Sequence, residues 1–362
     1  MIKLLVVDDS PLMRRLMIEI FTAAGDFEVA VARSGQEALD QLTAFAPDVV
    51  TLDVHMPDMN GLACLDRIMV LRPCPVVMVS SLTAAGADET LEAMALGAVD
   101  FVAKPRGALS MEIERLAPEL VDKVRQASTA QISRATRLLE RVRARTADDH
   151  SHRSSRNLPS VAAAPRTTPL PPDGLVVIGC STGGPPALDA VLGRLPADFA
   201  WPIVVAQHMP ASFTGPLARR LDKLCALEVC EVSAATRLLP GHVYVARGDA
   251  DMIISRRASG LVALAAPSDP ALYWHPSVDR LVASAMKYLA PESLIGVLMT
   301  GMGTDGAKTM ADLKDRGGQT IAESADSAVV WGMPGALVGS GGASIVAPLE
   351  RIAGELTALL ER

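Results

Sequence analysis

The chain has 362 residues, of which 49% are hydrophobic, 21% charged and 3% aromatic, and its formal net charge is −7. That length predicts about two domains, and that apolar content excludes a wholly disordered chain. An acidic chain with few aromatic rings lacks both a phosphate-neutralising excess and stacking platforms, so no nucleic-acid partner is expected. The cysteines Cys64, Cys74, Cys180, Cys225 and Cys230 form no CxxC pair, so neither a disulfide framework nor a zinc site is suggested and a reducing, cytoplasmic setting fits. The opening MIKLLVVDDS is too short in apolar residues for a signal peptide. No run of about 20 apolar residues follows, so no membrane insertion is expected.

In chain order, residues 1–122 alternate apolar runs at 2–7, 27–32, 48–52, 75–80 and 100–103 with stretches of helical spacing. This alternation predicts a doubly wound, five-stranded parallel sheet of the flavodoxin-like kind. Asp8 and Asp9 end the first run, Asp53 the third, Ser80 the fourth and Lys104 the fifth, so all five face the crevice beyond the strands' carboxyl ends. Close carboxylates repel, so they share protons or hold a hard cation such as Mg²⁺. Lys104 would pair with an anion formed on Asp53, and the Ser80 hydroxyl would hydrogen-bond to it. Lys104-Pro105 offers a cis peptide that would aim the lysine. A single Asp after a strand is more often a helix N-cap; five such residues, each after its own strand, are not explained that way.

Residues 123–173 read as a linker. Its basic first part continues a helix and presents a solvated face rather than a phosphate or lipid contact. Its second part is rich in Ser, Arg, Ala and Pro and has no apolar periodicity.

Residues 174–362 return to α/β alternation, with clear strands at 175–180, 201–207 and 295–300 and further ones at 241–246, 252–255 and 261–265. The close spacing of the latter group suggests an antiparallel hairpin inserted in a mainly parallel sheet. Gly179-Cys180-Ser181-Thr182-Gly183 fits G-x-S-x-G, a turn whose glycines let a strand pass sharply into a helix and lift Ser181 clear of the backbone. The same turn presents amide N–H groups at a helix N-terminus, where an oxyanion is stabilised. His208 follows the second clear strand, and the third runs into GMGTDG and delivers Asp305. Alone, a Ser in a glycine-rich turn is usually a cap and a lone His usually structural. Together the three strand ends supply a nucleophile, a base and an orienting acid. The order Ser…His…Asp disfavours an α/β-hydrolase, which runs Ser…Asp/Glu…His. GMGTDG also fits G-x-G-x-x-G, with Glu323 and Asp326 at the spacing of a ribose-binding acid. A dinucleotide fold is disfavoured because the core strands precede the motif and too little chain follows it.

The stretches VVDDS (6–10), DVHMPDMNG (53–61), VSS (79–81) and KP (104–105) resemble the receiver domain of two-component response regulators. The resemblance implies Asp53 as phospho-acceptor, Asp8 and Asp9 with Asp53 around Mg²⁺, and Ser80 and Lys104 as readers of the phosphoryl group. VVIGCSTGGPPAL (176–188), VVAQHMPASFT (204–214), WHPSVDRL (274–281), VLMTGMGTDGAKTM (297–310) and WGMPGAL (331–337) resemble the catalytic domain of the chemotaxis protein-glutamate methylesterases, the CheB family, which also act as glutaminases. That resemblance implies Ser181 as nucleophile, His208 as general base and acid, Asp305 as orienting acid, and backbone around Thr182 and Met302 near the oxyanion. It also implies no cofactor in the catalytic domain, methyl-accepting chemoreceptors as substrate and a chemotaxis histidine kinase as phosphodonor. An unphosphorylated receiver would then hold hydrolysis down, and phospho-Asp53 would relieve it. Cys180 stands where the family more commonly carries Ala and would crowd the turn or make it redox-sensitive. The competing classes are a response regulator with a non-enzymatic binding module over 174–362, and a receiver joined to a DNA-binding output.

Overall fold

The structure is a computed structural model that describes residues 1–80, 83–104, 109–130 and 174–361. The chain forms two compact units. The first carries β1 (Ile2–Val7), α1 (Pro11–Ala24), β2 (Phe27–Ala32), α2 (Gly35–Ala44), β3 (Val49–Asp53), α3 (Gly61–Leu71), β4 (Val76–Ser80), α4 (Ala84–Leu96) from Glu92 onward, β5 (Asp100–Ala103) and α5 (Leu109–Ala127). Its five strands run parallel in the order β2-β1-β3-β4-β5. Strands β3 and β4 are buried along their whole length. Continuous apolar runs of this kind are what a parallel sheet covered on both faces requires. Helix α1 packs beside α5, and α2 beside α3. Capping fixes the helix starts: Ser10, Ser34 and Asn60 each accept an amide of the first turn. Helix α5 runs to Ala127, past residue 122, because Val124 and Ala127 remain buried. The Lys104-Pro105 peptide and most of the linker (131–173) lie outside the described residues.

The second unit begins with β6 (Leu175–Cys180), α6 (Gly184–Leu192), β7 (Ile203–Gln207), α7 (Ala211–Leu224), β8 (Glu228–Val232), β9 (Thr236–Arg237), β10 (His242–Ala246), β11 (Ala250–Arg257) and β12 (Gly260–Pro267). It continues with α8 (Val278–Ala285), β13 (Leu294–Leu298), α9 (Ala307–Asp315), β14 (Gln319–Glu323), α10 (Met333–Gly339), β15 (Ile345–Ala347) and α11 (Leu349–Leu360). Seven parallel strands form one sheet in the order β15-β14-β13-β6-β7-β10-β8. The expected hairpin exists as β11 and β12, but it is not inserted in that sheet. With β9 it forms a separate three-stranded antiparallel sheet, while β10 joins the parallel one. The large sheet reverses direction of growth between β6 and β13, which places a crevice at the carboxyl ends of β13, β6 and β7. Ser181, His208 and Asp305 follow those three adjacent strands.

Candidate active site

Ser181 leaves β6 on a turn that Gly183 completes at φ +76°, a left-handed conformation open to glycine, before α6 begins. The turn is pinned from both sides. The Ser181 N–H donates to the Thr300 carbonyl at 3.0 Å, and the Gln207 amide donates to the Ser181 carbonyl at 3.0 Å. Gly301 approaches so closely that a Cβ there would lie 2.7 Å from the Ser181 Cβ, so the loop carrying Met302 can approach Ser181 only without a side chain at 301. Thr182 and Met302 are buried beside it.

His208 is held by Asp305 and by an indole. Its Nε2 lies 2.9 Å from Asp305 Oδ2, and its ring stacks on Trp274 with centroids 4.9 Å apart and planes 6° apart. Its Nδ1 is buried with no hydrogen-bond partner, so the Ser181 hydroxyl and the imidazole are not hydrogen-bonded to each other. Catalytic hydrogen bonds are often loose before substrate arrives.

Asp305 collects four donors. Its Oδ2 accepts His208 and the Val278 N–H, and its Oδ1 accepts the Ser277 hydroxyl and the Asp279 N–H, at 2.7–3.1 Å. The two amides belong to the first turn of α8, whose dipole favours a negative charge. Burial pushes the carboxyl up. The hydrogen bond and charge of His208 and the amides of Asp279 and Val278 outweigh burial and hold it below the ordinary aspartate range. The loop before α8 is tied down by buried Asp251, which accepts His275 Nδ1 at 3.0 Å and the Ser277 N–H at 2.8 Å.

Cys180 does not crowd the turn. Its thiol points inward and donates to Gln207 Oε1 at 3.1 Å, and burial, with the nearby Glu323 charge, pushes it well above the ordinary thiol range. A protonated, fully buried thiol is a poor target for oxidation.

In the first unit the oxygens of Asp8, Asp9 and Asp53 lie within 4.8 Å of one another, with Asp8 and Asp53 buried and Asp9 exposed. Lys104 Nζ reaches Asp53 Oδ2 at 2.7 Å and Asp8 Oδ2 at 3.1 Å. Burial pushes Asp53 up, Lys104 opposes through its hydrogen bond and charge, Asp8 adds repulsion, and the net direction is upward. Burial alone would lower Lys104, but Asp53 and Asp8 outweigh it, so its ammonium is held charged. Ser80 ends β4 fully buried, and its carbonyl accepts the Lys104 N–H at 2.7 Å. Three carboxylate oxygens and an open side at Asp9 are a donor set suited to a hard cation that keeps several waters.

A CheB methylesterase family model matches residues 176–356, and a response regulator receiver domain model matches residues 4–113. The protein-glutamate methylesterase/protein-glutamine glutaminase 2 of Rhodopseudomonas palustris is 54% identical over 353 residues, covering 98% of this chain and 96% of that protein. The protein-glutamate methylesterase/protein-glutamine glutaminase 3 of Rhodospirillum rubrum is 54% identical over 362 residues, covering 100% and 97%. The chain belongs to the CheB methylesterase family. A solved relative, the Thermotoga maritima CheB methylesterase catalytic domain, superposes with a TM-score of 0.50 at 39% identity, covering 51% of this chain and 98% of that one.

Family membership makes the chain a hydrolase with a receiver domain ahead of it and sets aside the DNA-binding and non-enzymatic readings. The dinucleotide reading of GMGTDG also finds no support at Glu323, which is fully buried and spends its carboxylate on Thr300 and Ser327. Sequence reasoning found the residues at the strand ends but missed their supports. Trp274 and Ser277 lie in the WHPSVDRL stretch that carries the family resemblance, but no role was assigned to them, and Asp251 lies in no motif; Ser277 before VDRL carries the signature of an N-cap.

Proposed function

We propose that this chain demethylates glutamate γ-methyl esters and deamidates glutamines on cytoplasmic helices of chemoreceptors, by a Ser-His-Asp mechanism under phosphorylation control. The observation that carries this reading is the divided imidazole of His208: Nε2 is committed to a charged Asp305, and Nδ1 is buried and unpartnered, while the His208 backbone N–H donates to the carbonyl of Cys180, the residue before Ser181. Asp305 fixes the tautomer with the proton on Nε2, leaving Nδ1 as the base for the Ser181 hydroxyl. Ser181 Oγ attacks the ester carbonyl as its proton passes to Nδ1, and the imidazolium is stabilised by Asp305. The tetrahedral oxyanion is held by backbone N–H groups around Thr182 and Met302. Nδ1 then gives its proton to departing methanol, or to ammonia when the substrate is glutamine. Water, deprotonated by the same nitrogen, releases the acyl-enzyme as glutamate.

In the receiver, Asp53 is the phospho-acceptor and a chemotaxis histidine kinase the phosphodonor. Asp8, Asp9 and Asp53 would hold Mg²⁺, which supplies charge neutralisation for the phosphoryl oxygens. Lys104 contacts Asp53 already and would follow the added charge, and Ser80 would hydrogen-bond it. Among the described residues no helix is long and apolar enough to cross a membrane.

Methanol release from a methylated receptor fragment, with and without a small-molecule phosphodonor, tests the reading. Ser181→Ala should keep the fold and lower the rate by roughly a millionfold. Near-normal turnover in that variant rejects Ser181 as nucleophile.

A further inference from the structure

Glu323, the last residue of β14, is a fully buried carboxyl that the hydrolytic scheme leaves unused. Its Oε2 accepts the Thr300 N–H at 2.8 Å and its Oε1 accepts the Ser327 hydroxyl at 2.9 Å. Thr300 holds the nucleophile turn with its remaining groups. Its carbonyl accepts the Ser181 N–H at 3.0 Å, and its hydroxyl donates to the Thr182 carbonyl at 2.8 Å and accepts the Val330 N–H at 3.0 Å. We propose that Glu323 is a positioning residue for the Ser181 nucleophile, fixing through Thr300 the turn on which Ser181 and Thr182 ride. This rests on the reading of Ser181 as the nucleophile.

The chemistry explains why a carboxylate serves here. When the carboxyl is ionised, each oxygen accepts one buried donor. Remove the acceptor and the Thr300 N–H is left buried and unpaired, at a cost that the loop escapes only by shifting. Because Ser181 is bonded to that same residue, the shift moves the nucleophile. Angular errors of this size are costly to a reaction that needs near-attack geometry.

The site also titrates in the working range. Burial pushes Glu323 up to about 7, opposed by the Thr300 amide and the Ser327 hydroxyl and reinforced by the charge of Glu350 in the first turn of α11. The other titratable neighbour is the Cys180 thiol at the end of β6, which burial keeps protonated. Above neutrality both oxygens accept. Below it one carries a proton that must be donated, and the Ser327 hydroxyl has to turn away.

The experiment measures Ser181 labelling by a fluorophosphonate probe, and methanol release, across pH for the full-length wild type, Glu323→Gln and Glu323→Leu. Glu323→Leu should label about tenfold to a hundredfold more slowly at every pH, the effect of one or two lost hydrogen bonds on a barrier. Glu323→Gln, which can still accept from Thr300, should recover most of that rate. It should also remove one ionisation from the acid limb of the profile. An acid limb for Glu323→Gln that superimposes on the wild type overturns the proposal. So does a Glu323→Leu chain that folds and labels at the wild-type rate. If Glu323→Leu does not fold, the Glu323→Gln profile decides. Labelling without methanol release would remove the ester reading alone and leave the labelling profile to judge Glu323. No labelling in the wild type would remove Ser181 as nucleophile and the proposal with it.

Discussion

Each unit places a buried aspartate beyond a parallel strand, Asp53 closing β3 and Asp305 following β13, and the surroundings push the two in opposite directions. Asp305 receives two backbone amides from a helix N-terminus, a hydroxyl and an imidazole. Asp53 receives one backbone amide, from His55 at 3.2 Å, and shares Lys104 with Asp8. Desolvation is the largest influence on both, so the donor count decides the sign. The contrast matches what the proposed role asks of each carboxylate. An acid that orients histidine must stay ionised with every lone pair engaged. A phospho-acceptor must keep an oxygen uncommitted to backbone, so that it can attack phosphorus. The same fold logic, sites beyond the carboxyl ends of parallel strands, is thus tuned to opposite ends by what surrounds the strand end.

The strongest way to break this comparison is to change each aspartate to asparagine. In Asp305→Asn an amide NH₂ can face Nε2, which must then accept, so the proton moves to Nδ1 and the base is lost. The fold should survive and the ester-hydrolysis rate should fall by about ten thousandfold, measured as kcat/KM for methanol release. A loss of less than about tenfold would show that Asp305 does not set the tautomer. In Asp53→Asn the same chemical change should leave basal hydrolysis in place and abolish the response to acetyl phosphate. Retained stimulation would point to another acceptor.

Buried carboxylates also make stability pH-dependent, and Glu323 gives the clearest case. Its pKa rises from an ordinary 4.5 to about 7 in the folded chain, which corresponds to about 3 kcal/mol of native-state cost. The native state prefers the protonated form. The cost is therefore absent below the unfolded value, grows as pH rises between the two values, and is complete above the folded one. Glu323→Gln should gain about 3 kcal/mol relative to wild type between about pH 4 and about pH 8, read from urea midpoints at the two pH values. Parallel stability curves would show that Glu323 titrates normally.

How much of this was legible in the chain follows from burial. Strands β3 and β6 are covered on both faces and read as unbroken apolar runs. Strand β8 lies at the sheet edge, and its EVCEV interleaves exposed and half-buried polar or cysteine positions with two buried valines, so it carries no such run. Strands β9 and β15, with two and three residues, are too short for any period to register. Ser181, His208 and Asp305, the proposed nucleophile, base and acid, could be picked out because strand ends in a doubly wound sheet converge by topology. Their supports could not, since convergence there depends on loop paths. The stacking of Trp274 on His208, and the hydrogen bonds of the first α8 amides to Asp305, join residues distant in the chain through a segment with no periodicity.

Those supports can be weighed through Ser277. Its hydroxyl serves twice, accepting the Arg280 N–H at 3.2 Å as the N-cap of α8 and donating to Asp305 Oδ1 at 3.1 Å. Ser277→Ala removes a cap, at about 1 kcal/mol of stability, and one of the four donors that hold Asp305 charged. Three donors remain, His208 and the amides of Val278 and Asp279, so the carboxylate stays ionised and oriented. The rate of methanol release should therefore fall by no more than about tenfold, the kinetic equivalent of one hydrogen bond, while the thermal midpoint drops by a few degrees. A loss approaching that of Asp305→Asn would mean that the amides of α8 cannot hold the acid without the hydroxyl. The difference between Asp305 and Asp53 would then rest on one side chain rather than on the helix terminus.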